Sequence, residues 1–232
     1  MSMINRNSGT GGRVVFVDLK GTPQEYMDGD KKKFGAFVVS HGKDLPKEVL
    51  PTNSAITGYV TSLDVQDREY QGDTINTLKI RVEDVKHEEP PAMISVTLGS
   101  YFSAKIVGLL NAADLSKPVT FNANVLMAGD KFGEGVADKD NVFPTMRQGT
   151  DNQRLKPVWA GGVEVLPDAP IVTVSGKKIK DMTPVNEVTA ATIAALYAKV
   201  DALKETSGPV DDGIDANEVA AAVQGTERPR AN

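Results

Sequence analysis

Residues 56–127 constrain the fold most, because apolar residues there recur with the period of two that characterises strands, except in one short segment with helical spacing. Within residues 78–82, apolar side chains alternate with Lys79 and Arg81, so both cations lie on the face opposite to the apolar one. Residues 69–73 precede this segment and are polar with one glycine, which is typical of a hairpin loop. The sequence therefore predicts a long β-hairpin with one apolar and one polar face.

Three further elements follow the hairpin. Residues 94–98 alternate as a third strand, residues 103–111 carry apolar side chains at helical spacing, and residues 119–125 alternate again. Ser103 is the N-cap that we expect for the helix. Three strands, one helix and one further strand are the element order of the OB-fold, a small barrel that often binds single-stranded nucleic acid. We therefore predict a mainly β protein built on a five-stranded OB-fold barrel.

The chain divides into segments of different composition. Residues 1–33 are predicted to be a flexible N-terminal segment that contains one short strand. The barrel is placed at residues 34–160, and it includes an irregular β-arm over the polar, glycine-containing residues 128–152. Residues 161–182 are predicted to be a linker, and residues 183–232 a C-terminal helical region and tail.

The C-terminal region is predicted to carry an amphipathic helix. Thr183-Pro184 indicates its start, because proline is favoured at the first helical position. A narrow apolar seam with spacings of three and four residues is formed by Ile193, Leu196, Val200 and Leu203. The seam has two interpretations: packing against the barrel of its own chain, or contact with a second copy or another protein. A capping-box pattern at residues 215–218 indicates a second, shorter helix.

The composition argues against catalytic and metal sites. The chain has no cysteine and only two histidines, His41 and His87, so a structural zinc site is not expected. Residues 9–13, GTGGR, are not followed by the Lys-Ser/Thr pair of a phosphate-binding loop. Paired carboxylates are frequent, but no spacing selects an acid–base pair. We expect no enzyme activity, no cofactor and no metal.

Hydropathy and charge restrict the partners. No apolar run approaches the roughly 20 residues that span a bilayer, and the N-terminus lacks the apolar core of a secretory signal. We therefore expect no membrane contact and a cytoplasmic location. The net charge of −5 and the pI of about 5.2 argue against a generic basic nucleic-acid binder. Any nucleic-acid site is expected to be a local groove in which rings stack on bases and a few cations meet phosphates.

Aromatic and basic residues interleave along the predicted arm and after it, which suits a groove that follows a single strand. The predicted nucleic-acid contacts are Tyr59, Tyr70, Lys79, Arg81, Tyr101, Phe132, Phe143, Arg147, Arg154, Lys156 and Trp159. Tyr59, Tyr101 and Trp159 have a second interpretation, as side chains of the core.

The block from residue 56 to about residue 159 resembles the single-stranded DNA-binding proteins of tailed bacteriophages. The similarity lies in ITGYVTSLDVQDREYQGDTINTLKIRVED and in ISVTLGSYFSAKIVGLLNAADLSKPVTF. These sequences combine I-x-G at the start of a strand, an acidic-aromatic-glycine hairpin tip, an S-x-x-x-A-K-x-x-x-L-L-N helix and K-P-V-x-F. The resemblance implies non-catalytic, largely sequence-independent binding and protection of single-stranded DNA in phage replication or recombination.

The resemblance also bears on partners and location. It implies the cytoplasm of a host cell if the protein is phage-encoded. Contacts with replication proteins or a second copy are instead predicted from the apolar seam of the C-terminal helix. Such proteins often end in a strongly acidic tail, whereas residues 227–232 include Arg228 and Arg230. The alternative function is a β-rich phage structural or assembly protein that uses the C-terminal helix for oligomerisation.

Overall fold

The computed structural model describes residues 14–40, 46–52, 54–70, 73–86, 89–132, 135–149 and 151–206. The strands are, in chain order, β1 (Val15–Asp28), β2 (Lys31–Ser40), β3 (Glu48–Val49), β4 (Ala55–Tyr70), β5 (Asp73–Glu83), β6 (Ala92–Thr97), β7 (Val119–Leu126), β8 (Lys131–Phe132), β9 (Gly135–Val136), β10 (Asn141–Gln148), β11 (Gln153–Arg154), β12 (Ile171–Val174) and β13 (Lys177–Lys180). The two α-helices of the described residues are α1 (Tyr101–Ala112) and α2 (Thr183–Thr206), and Ala160–Gly162 form a short 3-10 helix.

Nine of the described strands form one sheet in the order β11-β10-β7-β4-β5-β6-β1-β2-β3. All neighbouring strands are antiparallel except β1 and β6, which are parallel. The sheet curls, since β1 contacts β10 and β2 contacts β7. Across the described strands, however, no hydrogen-bonded pair closes it into a barrel. The prediction of a mainly β protein is confirmed, whereas the predicted closed barrel of five strands is not observed.

An N-terminal hairpin accounts for part of this difference. The segment predicted to be flexible contains β1, which lies between β6 and β2 in the main sheet. The sequence pattern did not indicate so long a strand, because Gly21 and Pro23 interrupt it. The structure accommodates both residues in a register shift between Leu19 and Gln24. At such an irregularity Pro23 is tolerated, because the ladder does not require a hydrogen bond from its nitrogen.

The alternation predicted for β5 is confirmed. Leu78, Ile80 and Val82 are completely buried, whereas Lys79 and Arg81 on the opposite face are half-buried. Burial of an aliphatic side chain of this size contributes about 1.5–3 kcal/mol to folding. The apolar row of β5 therefore faces the core, and the two cations face away from it.

The helix α1 begins at Tyr101, before the predicted segment 103–111, and its N-cap is Ser100 instead of Ser103. The Ser100 hydroxyl oxygen accepts a hydrogen bond from the Ser103 backbone N–H at 3.2 Å, and the Ser103 hydroxyl oxygen accepts one from the Ser100 N–H at 3.1 Å. This reciprocal pair is a capping box. The earlier start places Tyr101 in the first turn of α1.

The helix α2 begins at Thr183, as predicted, and it packs against α1. The seam residues Ile193, Leu196 and Val200 are at most 8% exposed within the single chain. The structure therefore supports packing of the seam inside its own chain. Before α2, the segment predicted to be a linker contains the small separate hairpin β12–β13. The helix predicted at residues 215–218 lies outside the described residues.

Candidate nucleic-acid interface

The polar face of β5 carries two of the predicted contacts, and each has a hydrogen-bonding partner. The Lys79 ammonium donates to the Ser95 hydroxyl at 2.7 Å, and Arg81 Nε donates to Glu83 Oε1 at 3.0 Å. A groove of about 410 Å³ over this face is lined by Asp18, Asp67 and Lys79, among others. Because carboxylates lie beside the cations, a polyanion gains little net attraction here.

Tyr59 lies one strand away from these cations, on β4. It is half-buried, and it stands opposite Glu83 in the register of β4 and β5. For two further predicted rings, Tyr70 at the end of β4 and Phe132 in β8, the structure describes the backbone only. Their backbone positions are known: Tyr70 borders the β4–β5 connection, and Phe132 lies in the excursion between β7 and β10.

Trp159 is a core residue, so its prediction as a base-stacking residue is corrected. The side chain is only 6% exposed, and its Nε1–H donates to the backbone oxygen of Ala104 at 3.2 Å. The indole lies over Gly108, where an added Cβ would come within 2.7 Å of Nε1. Because Gly108 has no side chain, the chain that leads to Trp159 can run along α1, and the Val158 N–H bonds to the Gly108 oxygen at 2.9 Å. A glycine inside an otherwise apolar helix was the sequence signal for this contact.

Tyr101 has a partly structural role. Its hydroxyl donates to the Pro167 oxygen at 3.1 Å and accepts from the Ala169 N–H at 2.7 Å. These two bonds attach the segment before β12 to the start of α1. The ring is 37% exposed, and the ammonium of Lys180 lies 6.0 Å from its centroid. The hydroxyl is therefore engaged, while part of the ring remains accessible.

A second group of predicted contacts does come together, on β10 and β11. Arg147 and Arg154 stand directly opposite each other in the antiparallel register. The Lys105 ammonium of α1 lies 5.8 Å from the centroid of the Phe143 ring, which is within cation–π range. We call Lys105, Phe143, Arg147 and Arg154 the arginine patch. Lys156, also predicted, is exposed two residues after Arg154.

The arginine patch is electrostatically unusual for an acidic protein. Like charges directly opposite each other on neighbouring strands destabilise a sheet. Within the described part of the chain, no salt bridge neutralises Lys105, Arg147 or Arg154. The pKa of Lys105 is lowered, first because the group is partly buried and then because of the positive charge of Arg154. The geometry thus holds three positive charges together, and an anion bound there would relieve their repulsion.

Lys105 was not among the predicted contacts, although the sequence contained a signal for it. Lys105 follows Tyr101 by four residues, a spacing that places two side chains on one face of a helix.

The predicted nucleic-acid contacts lie in two separate places in the structure. Lys79 and Arg81 lie on β5, and β4 and β7 stand between them and β10 in the sheet order.

No protein-family model, no curated protein and no solved structure matches the chain. The interpretation of the site therefore depends on its geometry. Among the described residues, no three His, Asp or Glu side chains are grouped so that they would hold a metal ion. Neither described helix is long and apolar enough to cross a membrane.

Proposed function

We propose that this protein binds single-stranded DNA without catalysis and largely without sequence preference. The observation that carries the proposal is the arginine patch, in which Arg147, Arg154 and Lys105 lie without a salt bridge in the described residues of a chain of net charge −5. Guanidinium groups match phosphate oxygens in bidentate geometry. Phosphates would therefore supply the negative charge that this patch lacks.

The adjoining Phe143 supports a ligand that combines phosphates with flat rings. Its ring is half-buried and already holds a cation at one side. Stacking of bases on aromatic side chains is sequence-tolerant, because every base has a π-face. A patch of cations around one ring suits a single strand better than a duplex, whose bases are stacked on each other.

The strand order also supports the proposal. We infer an OB-like fold to which the N-terminal hairpin β1–β2 is added beside β6. The strands β4, β5 and β6 form an antiparallel meander, α1 follows, and β7 returns to pair with β4 before β10 pairs with β7. In OB-folds, the loops between the first and second and between the fourth and fifth strands contact oligonucleotides. In this chain these connections are residues 71–72 and the excursion that contains β8 and β9.

The resemblance to phage single-stranded DNA-binding proteins supplies the proposed setting, which is protection of DNA during replication or recombination. The alternative assembly role relied on the seam of α2. Since Ile193, Leu196 and Val200 are buried in the single chain, that role lacks its predicted surface.

The test is a comparison of two double variants with equal loss of charge. Arg147→Gln/Arg154→Gln removes the paired arginines, and Lys47→Gln/Lys86→Gln removes two exposed lysines outside the patch. Affinity for labelled oligo-dT is measured by fluorescence anisotropy between 50 and 200 mM salt. Each phosphate contact on a single strand contributes about −0.7 to the slope of log K against log salt, so the arginine variant is expected to reduce the slope by about 1.4.

The expected result can be stated as a ratio of affinities. Loss of two contacts makes the ratio of parent to variant affinity about sevenfold larger at 50 mM than at 200 mM salt. The lysine variant should leave the slope nearly unchanged. The proposal is refuted if the parent does not bind oligo-dT at 50 mM salt, or if the arginine variant binds with the parent's affinity and slope.

A further inference from the structure

A row of alternating rings and cations extends from the arginine patch along α1. Tyr101 and Lys105 are four residues apart on this helix, so they share a face and are separated by about 6 Å along the axis. Lys105 lies 5.8 Å from the Phe143 centroid, and Lys180 lies 6.0 Å from the Tyr101 centroid. The order along the row is thus Phe143, Lys105, Tyr101, Lys180.

The last member of the row belongs to the hairpin β12–β13, which is held against α1. The Tyr101 hydroxyl bonds to Pro167 and Ala169 just before β12. At the other end of the hairpin, the Asp181 N–H donates to the Pro170 oxygen at 2.8 Å. The chain therefore enters and leaves the hairpin at one point beside Tyr101.

The hairpin itself contributes almost nothing to the core. Only Val172 among its eight strand residues is partly buried, whereas the other seven are exposed, Ile171 by 68%. An isolated two-stranded hairpin is marginally stable in water. Neither Lys178 nor Lys180 has a salt bridge among the described residues. The exposed lysines of this hairpin are therefore accessible to a ligand.

We infer that the hairpin β12–β13 is a second contact for the DNA strand, which runs from the arginine patch along the Tyr101–Lys105 face of α1 to Lys178 and Lys180. This inference rests on the proposed function. Lys178 and Lys180 point to the same face of β13, because side chains alternate along a strand. Lys177 points to the opposite face and lies outside this path.

This alternation provides a matched control within two neighbouring residues. Lys178→Gln and Lys177→Gln remove the same charge from one exposed strand, and neither disturbs a buried group. Binding of an oligo-dT longer than the roughly 4–16 nucleotides that one OB-fold covers is measured by anisotropy for both variants and for Lys178→Gln/Lys180→Gln. The loss of one phosphate contact is expected to reduce the salt slope by about 0.7, and the loss of two by about 1.4.

The inference predicts that Lys178→Gln weakens binding of the long oligonucleotide while Lys177→Gln does not. It is overturned if the two single variants weaken binding equally, or if the double variant binds like the parent. In either case the proposed function stands as long as Arg147→Gln/Arg154→Gln still loses affinity. Failure of that arginine variant to change binding would remove both the function and the path.

Discussion

Replacement of Trp159 tests whether the indole is part of the core. The side chain is 6% exposed, covers Gly108 and donates a hydrogen bond to the Ala104 oxygen. Truncation of a buried tryptophan to alanine costs about 3–5 kcal/mol, of which about 1 kcal/mol is the hydrogen bond. We therefore expect Trp159→Ala to lower the free energy of unfolding by about 3–5 kcal/mol. The adjacent Val158 is 48% exposed, so Val158→Ala should cost only about 0.5 kcal/mol.

The measurement is urea unfolding followed by far-UV circular dichroism, because one variant lacks the reporter indole. Trp159 is the single tryptophan of the chain, so its emission in the parent reports on this site alone. Emission should be blue-shifted and should not be quenched when oligo-dT binds, since the ring is not accessible to a base. A loss of less than 1 kcal/mol in Trp159→Ala, or strong quenching by oligo-dT, would show that the indole is exposed.

Two further predictions concern stability. Gly58→Ala should destabilise the protein by about 1–3 kcal/mol in thermal unfolding, because a Cβ there would lie 2.1 Å from the backbone oxygen of Glu83. Gly21→Ala meets only a side chain at 3.2 Å and is the control; equal losses would contradict the close approach. The pKa of Asp114 is lowered to about 2, mainly by a hydrogen bond from Lys117. Its stabilisation should therefore be present above pH 4 and be lost as the pH falls towards 2, and Asp114→Asn should remove this dependence.

Local sequence patterns were sufficient to predict the buried face of one strand and the start of one helix. The alternation of Leu78, Ile80 and Val82 identified the buried face of β5, and Thr183-Pro184 identified the start of α2. These predictions succeed because side-chain direction in a strand and the first turn of a helix depend on neighbouring residues only.

Contacts between residues that are distant in the sequence determined the environments of the candidate site residues. Trp159 is buried because it meets Ala104, 55 residues earlier in the chain, and Gly108 in the helix did not indicate which side chain would lie against it. Arg154 lies in the arginine patch because β11 pairs with β10, and Lys180 lies near Tyr101 because the hairpin β12–β13 is bonded to α1. Periodicity gives the direction of a side chain relative to its own element. The path of the backbone gives its neighbours, and that path depends on the packing of the whole chain.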